Sequence, residues 1–208
     1  LLSILQAAGW PIIPLVLCSV LALALIIERF LSLRTAKVAP ARLVDEVISV
    51  TRASLPTQDT IQKLAENSAL GQVLAQGLQV AAEPKLNEER LRAAVEGAGR
   101  LALHQLEKNL NALGTIAAAA PLFGLLGTVI GMIEIFGASG SSSGASPQEL
   151  AHGISVALYN TAFGLMVAIP SLIAYRHFRA KVDAFALQME HGAERLVNHL
   201  LKLTAPRR

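Results

Sequence analysis

The feature that most constrains this chain is where charge is missing. Residues 1–27 carry no charged side chain, residues 113–136 carry only Glu134, and residues 153–175 carry none. A helix of roughly 20 mostly apolar residues crosses the hydrocarbon of a bilayer, and each stretch is long enough. We therefore expect an all-α, polytopic membrane protein with three transmembrane helices. Trp10 and Pro11 stand where an interfacial anchor and a helix start belong. A secretory signal is the competing reading of the first stretch. Residues 1–9 hold no basic side chain and no convincing small-x-small site lies just before Glu28-Arg29, so a membrane helix is the better fit. The first residue is Leu, which leaves room for a trimmed beginning.

The charges that do occur are segregated. Residues 28–112 hold 11 Lys/Arg and 10 Asp/Glu, and residues 176–208 hold seven and three. No basic residue precedes the first apolar stretch or lies in the connector GASGSSSGASP between the second and third. The positive-inside rule then places the N-terminus and the connector outside and both charged regions in the cytoplasm. The expected organisation is an N-terminal region with the first span (1–27), a cytoplasmic helical region (28–112), and a second span (113–136). A periplasmic Gly/Ser loop (137–148), a third span (149–176) and a cytoplasmic C-terminal helix (177–208) complete it. Arg29, Arg34, Lys37, Arg176, Arg179 and Lys181 read as stop signals that meet lipid headgroups. A pI near 9.3 does not imply nucleic-acid binding, because the charges show no regular interleaving with aromatic residues that could stack on bases.

The charged regions read as helical. Leu43, Val47 and Val50 recur at helical spacing, as do Leu70, Val73, Leu74 and Leu78, with Pro56 and Pro84 as punctuation. Asn87 followed by Glu88 and Glu89 predicts a capped helix start. Leu91, Val95, Ala98, Ala102, Leu106, Leu110 and Leu113 then form one stripe, which predicts a helix entering the second span without a break. Val182, Phe185, Met189, Leu196, Leu200 and Leu203 predict that the third span continues as a long amphipathic extension. Such a projection buries its stripe only against neighbouring helices, so an oligomer follows.

Polar and small residues inside the spans mark the candidate site. Gly124, Gly127 and Gly131 share a face and permit close helix packing. Thr128 and Thr161 each satisfy themselves by bonding back to the preceding turn, but Ser155, Tyr159, Asn160 and Thr161 cluster within seven residues of an apolar helix. Asn160 needs a partner in hydrocarbon, so that side faces helices, a partner or water. Glu134 and His152 read as rim residues at the outer ends of their spans. Five His and the single Cys18 show no metal-ligand spacing. No nucleophile–base pair, metal set or phosphate loop points to an enzyme or a cofactor.

The stretch Leu106-Glu107-Lys108-Asn109-Leu110, Ile116-Ala117 and Pro121-Leu122-Phe123-Gly124-Leu125-Leu126-Gly127-Thr128-Val129-Ile130-Gly131-Met132 resembles the MotA/TolQ/ExbB proton-channel family, and most of all its ExbB members. The likeness resumes in Gly153-Ile154-Ser155-Val156-Ala157-Leu158, Thr161-Ala162, Gly164-Leu165, Ala168-Ile169-Pro170 and Tyr175, and includes Ser68 to Leu74. It implies a homopentameric ring in the bacterial inner membrane whose second and third spans line a pore. An ExbD/TolR-like single-span partner would supply an Asp, and a TonB-like transducer would carry work to the outer membrane to drive import. Thr128 and Thr161 match pore-facing threonines near that Asp, joined by Tyr159, Asn160 and Ser155. Pro121 and Pro170 match a helix-shaping proline pair. One position departs: where these relatives commonly carry Glu, this chain has Val156, so the titrating group is expected on the partner. The alternatives are a TolQ-like or MotA-like stator subunit and a non-conducting membrane scaffold.

Overall fold

A computed structural model describes residues 10–83, 87–139 and 146–204. Among these residues every regular element is helical. In chain order they are α1 (Ile12–Ser32), α2 (Thr35–Val38), α3 (Leu43–Ala53), α4 (Gln58–Asn67), α5 (Ala69–Ala81), α6 (Glu88–Glu107), α7 (Leu110–Ser139) and α8 (Pro147–Thr204). Three described stretches are long and apolar enough to cross a membrane: Ile12–Ser32, Glu88–Gly137 and Leu150–Leu203, with best-window mean hydropathies of 2.3, 2.1 and 1.7. Pro84 and most of the Gly/Ser connector lie outside the described residues.

The chain divides into two compact units. The first comprises the residues up to Glu28 and Asn109–His177. It holds α1 as far as Glu28, together with α7 and the first half of α8. Its core is small: Leu15, Ala120 and Ala168 are buried, with Phe123, Phe163 and Val167 packed against them. Many large apolar side chains point outward instead, among them Val20, Leu23, Leu122, Ile133, Met166 and Ile173. Helices apolar on all sides belong in lipid.

The second unit comprises Arg29–Lys108 and Phe178–Arg208, and here burial follows amphipathic stripes. Leu70, Val73, Leu74 and Leu78 of α5, Leu91, Val95, Ala98, Ala102 and Leu106 of α6, and Val182, Phe185, Met189, Leu196 and Leu200 of α8 are all buried. Val50 and Leu203, expected on the same stripes, are about half exposed at 51% and 49%. Both sit in the last turn of their helices, and in α3 it is Thr51 that takes the buried place in that turn. Asn87 caps α6, its Oδ1 accepting from the amides of Glu89 (2.9 Å) and Arg90 (3.4 Å). Ser68 caps α5 by accepting from the Gly71 amide at 3.0 Å. A Cβ at Gly71 would lie 2.2 Å from the Leu64 carbonyl oxygen, so this turn requires glycine.

Two expectations are corrected here. The helix does not enter the second span unbroken: Lys108 and Asn109 form a turn between α6 and α7. Asn109 donates from its side chain to Glu28 Oε2 at 3.1 Å, an acceptor distant in sequence. Arg29 is not a headgroup contact either. It is 5% exposed and its Nη1 donates to the Leu106 carbonyl at 2.9 Å, placing a cation at the C-terminal end of α6, where carbonyls lack intrahelical partners. Arg179 pairs with Glu107 at 2.7 Å and with Asp183 at 3.4 Å.

Candidate functional site

The site is built on the seam between α7 and α8, both within the first unit. Glycine lets the two backbones nearly touch. A Cβ at Gly124 would lie 2.8 Å from the Asn160 carbonyl oxygen, and one at Gly164 would lie 2.6 Å from that of Ala120. At Gly127 it would meet the Asn160 side chain at 2.8 Å, and at Gly131 the Ala157 Cβ at 3.0 Å. In lipid, where apolar burial gives no drive to associate, such contact packing is what holds helices together. Gly153 and Gly164 belong to the same seam, although the sequence pattern drew attention only to the glycines of the second span. Their signal was available: Gly153, Ala157, Asn160 and Gly164 recur at three- and four-residue spacing on one helix face.

That proximity brings Thr128 and Thr161 together. Their hydroxyls share a hydrogen bond across the seam. Thr128 Oγ1 also reaches the Gly124 carbonyl at 3.2 Å and the Ala157 carbonyl at 3.3 Å, and Thr161 Oγ1 reaches the Gly124 carbonyl at 3.3 Å. The expected back-bond of Thr128 to its own preceding turn is therefore present, with a cross-helix network added. Each hydroxyl owns one proton and two acceptor lone pairs. Two arrangements satisfy the pair: Thr128 donates to Thr161, which donates to Gly124, or Thr161 donates to Thr128, which donates to Gly124 or Ala157. Both threonines are half-buried, so lone pairs remain for a further donor.

The other candidates divide. Asn160 is 2% exposed and packs on Gly127, next in sequence to Thr161. Ser155 and Tyr159 are exposed and lie one turn apart on a different face of α8, Ser155 donating to its own Ala151 carbonyl at 2.9 Å. The structure does not bring them to the threonine pair. Val156 is half-buried. Pro121 and Pro170 both lie inside their helices, and beyond Pro170 the Ser171 hydroxyl donates to the Val167 carbonyl at 2.7 Å. Among the described residues no group of three or more His, Cys, Asp or Glu could hold a metal ion.

Residues 65–191 match the family model described as the MotA/TolQ/ExbB proton channel family, which is more than half of the chain and includes the whole seam. The chain belongs to this family. Among its relatives, the biopolymer transport protein exbB1 of Vibrio cholerae is 30% identical over 89% of this chain and 82% of that protein. The ExbB-like 3 protein of Synechocystis sp. is 34% identical over 91% of this chain and 90% of its own length. The Tol-Pal system protein TolQ of Haemophilus influenzae is 37% identical over 43% of this chain and 39% of that protein. As a MotA/TolQ/ExbB proton channel protein the chain is a membrane-embedded transport subunit, and its resemblance to ExbB, read from the two spans, stands with these relatives.

The family match also takes in Ser68 and Gly71, whose cap and close approach explain why that turn has the sequence it does. One group outside the seam was not anticipated. His199, in the second unit, has its Nε2 buried with no hydrogen-bond partner among the described residues. Burial first, then the positive charges of Arg52 and Lys202, lower its pKa below the ordinary 6.5.

Proposed function

We propose that this protein is the proton-conducting inner-membrane subunit of an ExbB–ExbD–TonB-type motor that uses the proton motive force to drive outer-membrane import. Copies of the chain form a ring, taken as a pentamer, with the N-terminus in the periplasm and the C-terminus in the cytoplasm. Lipid covers the outward apolar side chains of α1, α7 and α8. A single-span ExbD/TolR-like partner threads the ring and brings an Asp to the threonine pair, and a TonB-like protein carries the work away.

The observation that carries this reading is the Thr128–Thr161 hydroxyl pair bridging two largely apolar spans. Apolar walls raise the pKa of an enclosed carboxylate and so let it protonate near neutral pH. Hydroxyls that can either donate or accept stabilise its charged and its neutral form in turn, and that switch biases two packings. Val156 offers no acid at its position, so the partner carries the titrating group, and restoring Glu there is unnecessary for activity. Ser155 and Tyr159, on the other face of α8, take no part in this step and face neighbouring subunits.

The test is proton uptake by proteoliposomes holding the chain co-purified with its single-span partner. Thr128→Val and Thr161→Val each abolish uptake while the complex assembles, as does Asp→Asn in the partner. Full uptake by both valine variants would favour a non-conducting scaffold. A TolQ-like role, suggested by the H. influenzae relative, is read from which transducer the complex binds.

A further inference from the structure

A cleft with polar groups at its ends opens on the same seam, beyond the threonine pair toward the end of α7. Its volume is about 350 Å³, and Trp10, Gly131, Glu134, His152, Val156 and Asn160 line it. One water needs only roughly 10–15 Å³ of such space, so the cleft is roomy enough for a chain of waters. It is a built feature with polar ends. Glu134 from α7 and His152 from α8, both exposed, stand at the mouth, and the buried Asn160 lies at the floor beside Gly127. Glu134 and His152 are the titratable side chains that line it, and the α1 end contributes Trp10 and Pro11, which do not titrate.

Glu134 is six residues from Thr128 and His152 is nine from Thr161. At 1.5 Å per residue the mouth is about 9–14 Å of helix from the hydroxyls, a span of a few water molecules. Glu134 is the one charged side chain among residues 113–136, and ionisable residues within membrane spans mark ion pathways.

We propose that Glu134 and His152 form a proton-collecting site at the outer mouth of this cleft and feed the Thr128–Thr161 pair through water held against Asn160. Hydronium gives its proton to the Glu134 carboxylate or the His152 imidazole and leaves as water. The protonated group then donates to the first water of the cleft, regaining its original state as the proton moves inward. This rests on the proton-channel reading above and assigns the acceptor on the chain's own side of the path, distinct from the partner's Asp.

The experiment measures proton uptake by the reconstituted complex for the natural chain, Glu134→Gln, His152→Gln, the double variant, Glu134→Asp and Thr128→Val, at low and high salt. A charged cleft mouth raises the capture rate of a counter-ion roughly 10- to 1,000-fold and loses that gain in salt. The double variant is expected to slow uptake about tenfold at low salt, to lose its salt dependence, and to be slowest at alkaline external pH, where hydronium is scarcest. Glu134→Asp restores most of the rate, which a packing role would not explain. Both side chains are exposed, so the substitutions leave the seam's packing in place. Unchanged uptake and salt dependence in the double variant, with Thr128→Val inactive, overturns the collecting site alone. Absence of uptake by the natural complex overturns the channel reading together with it.

Discussion

Helix α8 runs through both units, and its two halves bury different things. Up to His177 the buried positions are Ala157, Asn160, Gly164, Ala168 and Ser171; beyond it they are Phe178, Val182, Phe185, Met189, Gly192, Ala193, Leu196, Val197 and Leu200, most of them large and apolar. The three- or four-residue spacing is the same, but the chemistry changes. In water, burying a large apolar side chain contributes about 1.5–3 kcal/mol, so the second half selects size. In hydrocarbon that gain vanishes, and helices associate through close contact and hydrogen bonds, so the first half selects small residues and hydroxyls. The first half can therefore place polar atoms in its core, and the threonine pair exists for that reason.

This contrast predicts opposite responses to changes in side-chain size. Leu196→Ala leaves a cavity in the second unit and should cost about 2–5 kcal/mol, read as a lower denaturation midpoint of the full chain in detergent. Gly164→Ala puts a Cβ 2.6 Å from the Ala120 carbonyl oxygen, and this overpacking should cost about 1–3 kcal/mol. A Cβ added at Gly97, in α6, would meet nothing within 4 Å. Gly97→Ala should instead stabilise by about 1 kcal/mol, since alanine is the better helix former. Full stability retained by either Leu196→Ala or Gly164→Ala would contradict the packing rule assigned to that half.

The smallest effect concerns His199. Its pKa is lowered in the folded chain by burial, Arg52 and Lys202, so below about 6.5 the unfolded chain binds the proton more readily than the folded one. Stability is therefore fully present above the ordinary value and falls as pH drops toward the depressed one. His199→Leu should remove that part of the acid sensitivity, checked by comparing denaturation midpoints of the two chains at neutral and mildly acidic pH.

Much of this was legible in the sequence. The three spans follow from the absence of charge, and the Asn87 cap from residue type and place. The buried stripes of α5, α6 and the end of α8 follow from helical period. What period does not supply is how a helix ends or which register two helices adopt. Val50 and Leu203 keep the period yet are about half exposed, and Lys108–Asn109 breaks a pattern whose hydrophobic spacing continues across it. Arg29 has the sequence context of any juxtamembrane cation, and only the fold brings the Leu106 carbonyl within 2.9 Å of it. The meeting of Thr128 with Thr161 depends on the α7–α8 register, set by glycines on both helices. Ser155 and Tyr159, near Thr161 in sequence, are carried to another face by the turn of roughly 100° per residue that 3.6 residues per turn imposes.

The account depends most on the hydroxyls themselves, and serine and valine separate hydroxyl from shape. Proton uptake should be measured for the complex carrying Thr128→Ser with Thr161→Ser, and for the complex carrying Thr128→Val with Thr161→Val. The account predicts uptake retained by the serine pair and lost by the nearly isosteric valine pair, with both complexes assembled. Equal uptake by the two would contradict it.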